Sequence, residues 1–174
     1  SFVALGLTVI YPYLKRFFPF PQAWLGVAFG FSIPMAYAAQ LGYVHHSAWA
    51  LLAANVFWAI AYDTEYAMVD RDDDARLGLK SSAILLGHGD VAGVMVAQSL
   101  FLVSMVFIGW WQRLDVIYFA GLAVAAAFIV RQYFLIRGRD RGRCFQAFHN
   151  NNWVGLAIFA GLALDLFFLS GVFR

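Results

Sequence analysis

The 174-residue chain is 63% hydrophobic and 18% aromatic, whereas only 13% of its residues are charged. This composition excludes an ordinary soluble enzyme and indicates an integral membrane protein. The single cysteine, Cys144, excludes both an internal disulfide framework and a cysteine-rich metal site.

Long apolar runs mark the predicted membrane-spanning helices. The first run, residues 2–14, is shorter than the ~20 residues that a span needs. Because the chain opens on Ser1, we interpret that run as the end of a truncated helix and the sequence as a fragment. Five complete spans follow, at about residues 24–39, 48–61, 91–111, 116–136 and 153–173. We predict an all-α, polytopic transmembrane helical bundle forming one domain over residues 1–174.

The basic residues predict how the bundle is oriented. The odd-numbered loops hold nine Lys and Arg residues, and the even-numbered loops hold one, Arg113. By the positive-inside rule, the first, third and fifth loops face the cytoplasm. We therefore expect the third loop to lie on the cytoplasmic face of the membrane.

The third loop is unusual because six of the ten acidic residues of the chain lie between Asp63 and Asp74. If the preceding helix continues past Tyr62, then Asp63, Asp70 and Asp74 lie within about 40° of one another on one face. Glu65 points elsewhere. Carboxylates in one stripe beside a bilayer repel unless a cation lies between them.

Two interpretations of this stripe are open from spacing alone. Oxygen ligands without His or Cys suit a hard cation such as Mg²⁺, which often shares its shell with substrate phosphates. The alternative is a solvated acidic loop that pairs with Arg71 and Arg76.

The neighbouring residues carry a resemblance to a known family. The segment YDTEYAMVDRDDDARLGLKSSAILLG, residues 62–87, resembles the second aspartate-rich motif of the UbiA-type membrane prenyltransferases, with its DxxxD element at Asp70 and Asp74. YPYLKR, residues 11–16, resembles the YxxxK element of the family, followed by arginine. GVAFGFSIPMAYAA and CFQAFHNNNWVGLAIFAGLAL resemble the 4-hydroxybenzoate branch of the same family. The likeness covers essentially the whole chain.

The chain departs from the family pattern in one respect. The family carries a first aspartate-rich motif, of the NDxxDxxxD kind, on an earlier helix, and this sequence has none. The family fold has nine transmembrane helices. The resemblance therefore implies the C-terminal two-thirds of such an enzyme, beginning within its fourth helix, and we expect this fragment alone to be inactive.

The resemblance implies a reaction and a metal site. The family reaction transfers a polyprenyl group from polyprenyl diphosphate to 4-hydroxybenzoate, at the ring carbon ortho to the hydroxyl, in ubiquinone biosynthesis. By this resemblance Asp70 and Asp74 are the expected Mg²⁺ ligands. Asp63 is a further candidate for ligation or for organising the acceptor. The expected partners are these two substrates and membrane lipid, and not nucleic acid.

Six further residues are candidates for substrate binding. Lys15 and Arg16 can converge on the diphosphate, and Arg16 can instead hold the benzoate carboxylate. Lys80 can reach phosphate. The tyrosines offer ring faces or hydroxyls to an allylic cation, and they are Tyr11, Tyr62 and Tyr66. The alternatives are that Lys15 and Arg16 only set topology, that Lys80 forms a structural ion pair, and that the tyrosines only pack.

Two other functions compete with this interpretation. A UbiA-type enzyme of a menaquinone, haem or chlorophyll pathway shares the metal site and differs in its acceptor. A cation-binding membrane transporter belongs to a different class, and transporters place their sites near the midplane on broken helices. The acidic residues here lie at the end of a segment, which favours the enzyme.

Overall fold

The computed structural model describes residues 2, 5–7, 9–10 and 21–168. Over residues 21–168 the chain forms seven α-helices and no strand, which confirms the all-α prediction. The helices are α1 (Pro21–Gly30), α2 (Ser32–Leu41), α3 (His46–Arg76), α4 (Ser82–Leu86), α5 (Asp90–Trp111), α6 (Val116–Ile136) and α7 (Arg141–Phe168), with a 3₁₀ turn at Gly87–Gly89 before α5.

Four stretches of the described chain are long and apolar enough to cross a membrane. They are Pro21–Leu41, Ser82–Trp111, Val116–Ile136 and Arg141–Phe168. The 31-residue α3 is also long enough, but it is more polar and is not one of the four. Its ends extend beyond the predicted span of residues 48–61. The chain is an integral membrane protein, as its composition indicates.

Helices α1 and α2 together make one span that is interrupted at Phe31. Pro34 lies in the first turn of α2, where its missing N–H leaves a carbonyl of the preceding turn without its usual donor. Two hydrogen bonds nevertheless bridge the interruption: Phe31 N donates to Val27 O at 3.0 Å, and Met35 N donates to Phe31 O at 3.3 Å.

Glycine allows α1 to pack against the backbone of α3. A Cβ atom added to Gly26 would lie 2.8 Å from Val56 Cα and 2.9 Å from Ala59 Cβ, closer than real Cβ contacts. Small residues permit this close approach between membrane helices. The contact fixes the position of α1 along the axis of α3. That position determines which side chains of the two helices line the same cleft.

The same device joins α6 and α7. A Cβ atom at Gly121 would lie 2.7 Å from Ala157 O and 2.9 Å from Gly161 Cα. The buried side chains around these helices form two clusters, each with a member from α3, α5, α6 and α7. The first contains Ala54, Phe101, Leu122 and Val154, and the second contains Met68, Val94, Ile136 and Ala147.

A buried carboxylate of α7 caps the start of α6. Asp165 is 1% exposed. Its Oδ2 accepts from Asp115 N at 3.0 Å and its Oδ1 accepts from Tyr118 N at 3.1 Å. The first amides of a helix have no partner within the helix and carry the positive end of its dipole. Asp165 therefore stabilises α6 from a neighbouring helix.

Contacts between connections confirm the predicted alternation of the loops. At one end of the bundle, Arg139, between α6 and α7, reaches Asp90 at the start of α5. At the other end, Gln112 Nε2, after α5, donates to Ser47 Oγ, at the start of α3, at 2.7 Å. The third and fifth loops thus share an end, as do the second and fourth. The first loop lies outside the described residues.

Candidate active site

Helix α3 continues unbroken through Arg76, which meets the condition on which the acidic stripe depends, and its last turns carry that stripe. Asp63, Asp70 and Asp74 line one cleft together with Tyr66 and Lys80. The cleft encloses about 270 Å³, counting the space open to solvent. The structure therefore brings five of the predicted site residues together at one end of the bundle.

The turn after α3 explains how Lys80 reaches the stripe. Gly78 adopts a left-handed conformation, with φ of +67°. Its N–H donates to Ala75 O at 3.2 Å, and Leu79 N donates to Asp74 O at 2.9 Å. This hydrogen-bond pair is the Schellman arrangement, which ends a helix and reverses the chain. The reversal carries Lys80 back onto the acidic face.

Two further contacts hold the returning segment against α3. The hydroxyls of Thr64 and Ser82 lie 2.7 Å apart, and both side chains are buried. Ser81 Oγ accepts from Ile84 N at 3.4 Å and so caps the short helix α4. Ser81 also lines the acidic cleft. The wall of the cleft opposite α3 is therefore fixed by short-range hydrogen bonds.

A buried carboxylate, Asp90, joins this segment to the rest of the bundle. Its side chain is fully buried and pairs with both Arg71 and Arg139. Arg71 also donates to Ala83 O at 3.1 Å, and Arg139 donates to His88 O at 2.7 Å. Arg71 thus reaches an acid outside the acidic stretch, which the sequence did not predict.

Arg141, at the start of α7, supplies positive charge to the acidic stretch. Its guanidinium lies 3.0 Å from Asp73 Oδ2 and 3.8 Å from Asp70 Oδ1. The arginine side chain is 63% exposed, and exposed ion pairs of this kind contribute only ~0–1 kcal/mol. Because the ion pair with Arg141 is this weak, Asp70 can exchange it for a ligand that binds more strongly.

The oxygen donors of the cleft fit a hard cation that is shared with phosphate. No group of three His, Cys, Asp or Glu side chains within the described ranges is arranged to hold a metal ion by itself. Mg²⁺ usually takes one or two carboxylates and completes its shell with water and substrate phosphates. Gln22 Oε1, which also belongs to the cleft, is buried and has no hydrogen-bond partner among the residues that the structure describes.

The two described candidate tyrosines, Tyr62 and Tyr66, line different clefts. Tyr62 lines a separate cleft with Trp58, Phe148, His149, Asn151 and Asn152. Tyr66 lies in the acidic cleft, and its ring centroid is 5.2 Å from that of Phe148. Tyr66 and Phe148 therefore connect the two clefts. The predicted site residues Tyr11, Lys15 and Arg16 lie outside the described residues.

A buried polar network lies beneath the second cleft, and the sequence analysis missed it. Asn151 is its centre. Trp58 Nε1 can only donate, so its 3.0 Å contact identifies the side-chain oxygen of Asn151 as the acceptor. The Asn151 amide then donates to Glu65 Oε2 at 2.7 Å, and Gln98 Nε2 donates to Asn151 Oδ1 at 3.1 Å and to Gln132 Oε1 at 2.9 Å.

A sequence signal for this network did exist. Glu65 lies off the acidic stripe, as predicted, but it points into the core and is fully buried. Polar side chains inside apolar helices are rare and generally face one another. Glu65, Gln98, Gln132 and the Asn150–Asn152 run each interrupt an apolar helix. Only the packing of the helices shows which of them meet.

Residues 1–166 match the profile described as the UbiA prenyltransferase family. The chain belongs to the UbiA prenyltransferase family. Curated relatives from this family are named 4-hydroxybenzoate octaprenyltransferase. The relative from Nitrosospira multiformis is 59% identical over 165 residues, covering 95% of this chain and 57% of the relative. The relative from Azoarcus sp. is 56% identical, with 95% and 58% covered, and that from Dechloromonas aromatica is 56% identical, with 98% and 57% covered.

A solved structure shares the UbiA fold with this chain. The apo structure of a UbiA homolog from Aeropyrum pernix K1 superposes with a TM-score of 0.78 at 26% sequence identity. The match covers 94% of this chain and 62% of that one. The predicted UbiA-type bundle is confirmed. The chain spans a little under three-fifths of the length of the curated relatives described above.

Proposed function

We propose that the protein carrying this chain transfers a polyprenyl group from polyprenyl diphosphate to 4-hydroxybenzoate, at the ring carbon ortho to the hydroxyl, in ubiquinone biosynthesis. The observation that carries this proposal is the cleft that collects Asp63, Asp70, Asp74 and Lys80 at the end of an apolar bundle. The names of the curated relatives support both the acceptor and the prenyl group.

The reaction exchanges one bond for another. The bond between the allylic carbon and the diphosphate oxygen breaks, and its electron pair leaves with the diphosphate. The ring carbon forms a bond to the allylic carbon and then loses its proton, which restores the aromatic ring. The demanding step is the development of negative charge on the leaving group, so positive groups placed around it lower the barrier most.

The residues of the acidic cleft suit that task. Asp70 and Asp74 would hold Mg²⁺, with Asp63 as a further ligand or as a group that orients the acceptor. A bound Mg²⁺ neutralises the charge on the leaving diphosphate. Lys80, on the opposite wall, would donate to the phosphate oxygens as a point charge. Lys15 and Arg16 would add positive charge from the first loop.

The apolar surface next to this cleft suits a prenyl tail. A groove of about 630 Å³, counting open space, is lined by Trp58 and by side chains of α2, α3, α5 and α7, almost all of them apolar. Trp58 also lines the cleft that contains Tyr62 and Phe148. Trp58 thus joins the groove to the Tyr62 cleft, and the ring contact of Phe148 with Tyr66 places that cleft beside the carboxylates. This adjacency supports binding of a substrate with a charged head and a long apolar tail.

We also propose the bacterial inner membrane, with the acidic cleft facing the cytoplasm. The connections that form the cleft end carry most of the basic residues of the described chain, including Arg71, Arg76, Arg139 and Arg141. The positive-inside rule assigns such an end to the cytoplasmic side. Cysteines introduced singly at Arg76 and at Gln112, both exposed, test this orientation in spheroplasts. A reagent that cannot cross the membrane is expected to label position 112 from outside and position 76 only from inside.

The deciding experiment assays membranes that express the longest reading frame containing this chain. Polyprenyl diphosphate and Mg²⁺ are supplied with either 4-hydroxybenzoate or a dihydroxynaphthoate, and prenylated product is measured. The proposal expects prenylated hydroxybenzoate, lost in Asp70→Asn and kept in Asp72→Asn. Asp72 is the matched control because it is an exposed acid of the same stretch that does not line the cleft.

Other outcomes would change the assignment. Product from the naphthoate alone would move the enzyme to the menaquinone branch. No product from either acceptor, with Asp70-dependent cation uptake into vesicles, would replace the enzyme by a transporter.

A further inference from the structure

Gln22 has an unusual environment at the edge of the acidic cleft. The side chain lies in the first turn of α1 and is 2% exposed. It lines the same cleft as Asp63, Asp70 and Asp74. Its Oε1 is buried and accepts no hydrogen bond within the described part of the chain. Buried amide oxygens without a partner are rare in folded proteins, because nothing replaces the water that they lose.

The position of Gln22 follows from the close contact of α1 with α3. The two helices run antiparallel and meet where Gly26 packs against Ala59. Gln22 lies one turn before Gly26, and Asp63 lies one turn after Ala59, so the two side chains fall at the same level. Asn55 Nδ2 adds a hydrogen bond to Gly26 O at 3.0 Å. Gln22 is therefore fixed by helix packing, and not by a loop.

The neighbours of Gln22 restrict what can bind its oxygen. The described donors that line the cleft, Lys80 among them, make no hydrogen bond to this oxygen. The carboxylates of Asp63, Asp70 and Asp74 are acceptors when ionised, so they do not satisfy another acceptor. A hard divalent cation does, because amide oxygens are among its usual protein ligands. An amide is also neutral. It adds an oxygen to the cation without adding a negative charge that would repel a diphosphate.

We propose that Gln22 is a further ligand-binding residue of this cleft, and that its Oε1 coordinates the divalent cation held by Asp70 and Asp74. The inference rests on the proposed function, because the cation is taken to arrive with a diphosphate. By this proposal α1 contributes a cation ligand to the site, in addition to the carboxylates of α3.

The test measures cation binding directly, independent of turnover. The protein from the longest reading frame is purified in detergent, and Mn²⁺ binding is followed by electron paramagnetic resonance with and without inorganic diphosphate. Gln22→Met keeps the length of the side chain and removes its oxygen, and we expect roughly tenfold weaker Mn²⁺ binding. Gln22→Glu keeps an oxygen at the same place, and we expect binding to be retained. Gln40→Met changes an exposed glutamine of α2 and serves as the matched control.

Each other result has a distinct meaning. Unchanged Mn²⁺ binding by Gln22→Met overturns the inference and leaves the proposed function intact. Loss of binding in Gln22→Glu as well as in Gln22→Met overturns it too, since the amide would then act as a donor to phosphate. If the unaltered protein binds no Mn²⁺, or if Asp70→Asn binds it equally well, the metal site itself is excluded and the proposed function fails with it. If Gln22→Met does not fold, Gln22→Asn, which withdraws the oxygen by one methylene, carries the same expectation of weaker binding.

Discussion

Replacing Asn151 by alanine tests whether the buried polar network holds the bundle together. The Asn151 amide connects α3, α5 and α7 through Trp58, Glu65 and Gln98. Alanine removes all three hydrogen bonds and fits the space without a clash. Gln98 keeps its hydrogen bond to Gln132. The groups left without the partner they had in Asn151 are therefore the Trp58 N–H and the Glu65 carboxyl.

The structure sets the size of the effect. A buried polar group left unsatisfied costs ~1–3 kcal/mol, whereas hydrogen bonds between membrane helices average ~0.6 kcal/mol, because the unfolded chain also finds partners. Three lost bonds at the lower value and two orphaned groups at the upper value bracket the result. We expect the free energy of unfolding to fall by about 2–6 kcal/mol.

Unfolding in a titration of SDS against a mild detergent, followed by Trp fluorescence, measures this change. Asn152→Ala is the matched control, because Asn152 is the next residue and is exposed. A second variant sharpens the test: adding Glu65→Met to Asn151→Ala replaces both partners with apolar groups, and part of the lost stability returns. Equal unfolding of Asn151→Ala and Asn152→Ala would refute the reasoning.

Four further outcomes are expected. Asp165→Ala uncaps α6 and lowers the free energy of unfolding by about 1–2 kcal/mol in the same titration; an unchanged midpoint would contradict the cap. Asp90→Asn leaves two half-exposed arginines without their anion and destabilises by about 1–3 kcal/mol, unlike a change at exposed Asp72. Gly121→Ala forces α6 and α7 apart at a cost of about 1–3 kcal/mol, whereas Gly138→Ala, with no neighbour within 4 Å, is tolerated; similar losses in both would argue against the helix contact. Chelation with EDTA stops product formation in membranes and added Mg²⁺ restores it, and turnover in EDTA would exclude a metal-dependent mechanism.

The sequence predicted the features that depend on neighbours along the chain. Apolar runs are sufficient to locate membrane helices, because lipid leaves few alternatives to a hydrogen-bonded helix. The acidic stripe could also be predicted from the sequence, since the spacing of Asp63, Asp70 and Asp74 matches the helical period. The full length of α3 was not predicted, because the predicted span ended at residue 61 and the helix continues to Arg76. The return of Lys80 to the stripe depends on the local turn at Gly78, whose conformation a glycine permits but does not specify.

The features that escaped prediction depend on tertiary contacts. Gln22 reaches the cleft only because α1 packs on α3 at Gly26, and nothing near Gln22 in the sequence indicates this. Of the two arginines that pair with Asp90, Arg71 comes from the end of α3 and Arg139 from the connection between α6 and α7. Arg139 looked like a topology signal, and the structure gives it a specific partner as well. The positive-inside rule counts such charges but does not assign their contacts.

The pairing of Glu65 with Asn151 has a consequence for biosynthesis. The two residues are 86 positions apart in the chain, which at ~5–20 residues per second takes the ribosome roughly 4 to 17 s to translate. During that interval α3 has left the ribosome, but the helix that satisfies its buried carboxyl has not yet been made. Glu65 must therefore wait beside water, a lipid headgroup or the insertion machinery. Closure of the core around Glu65 is an event that waits for α7, which carries Asn151.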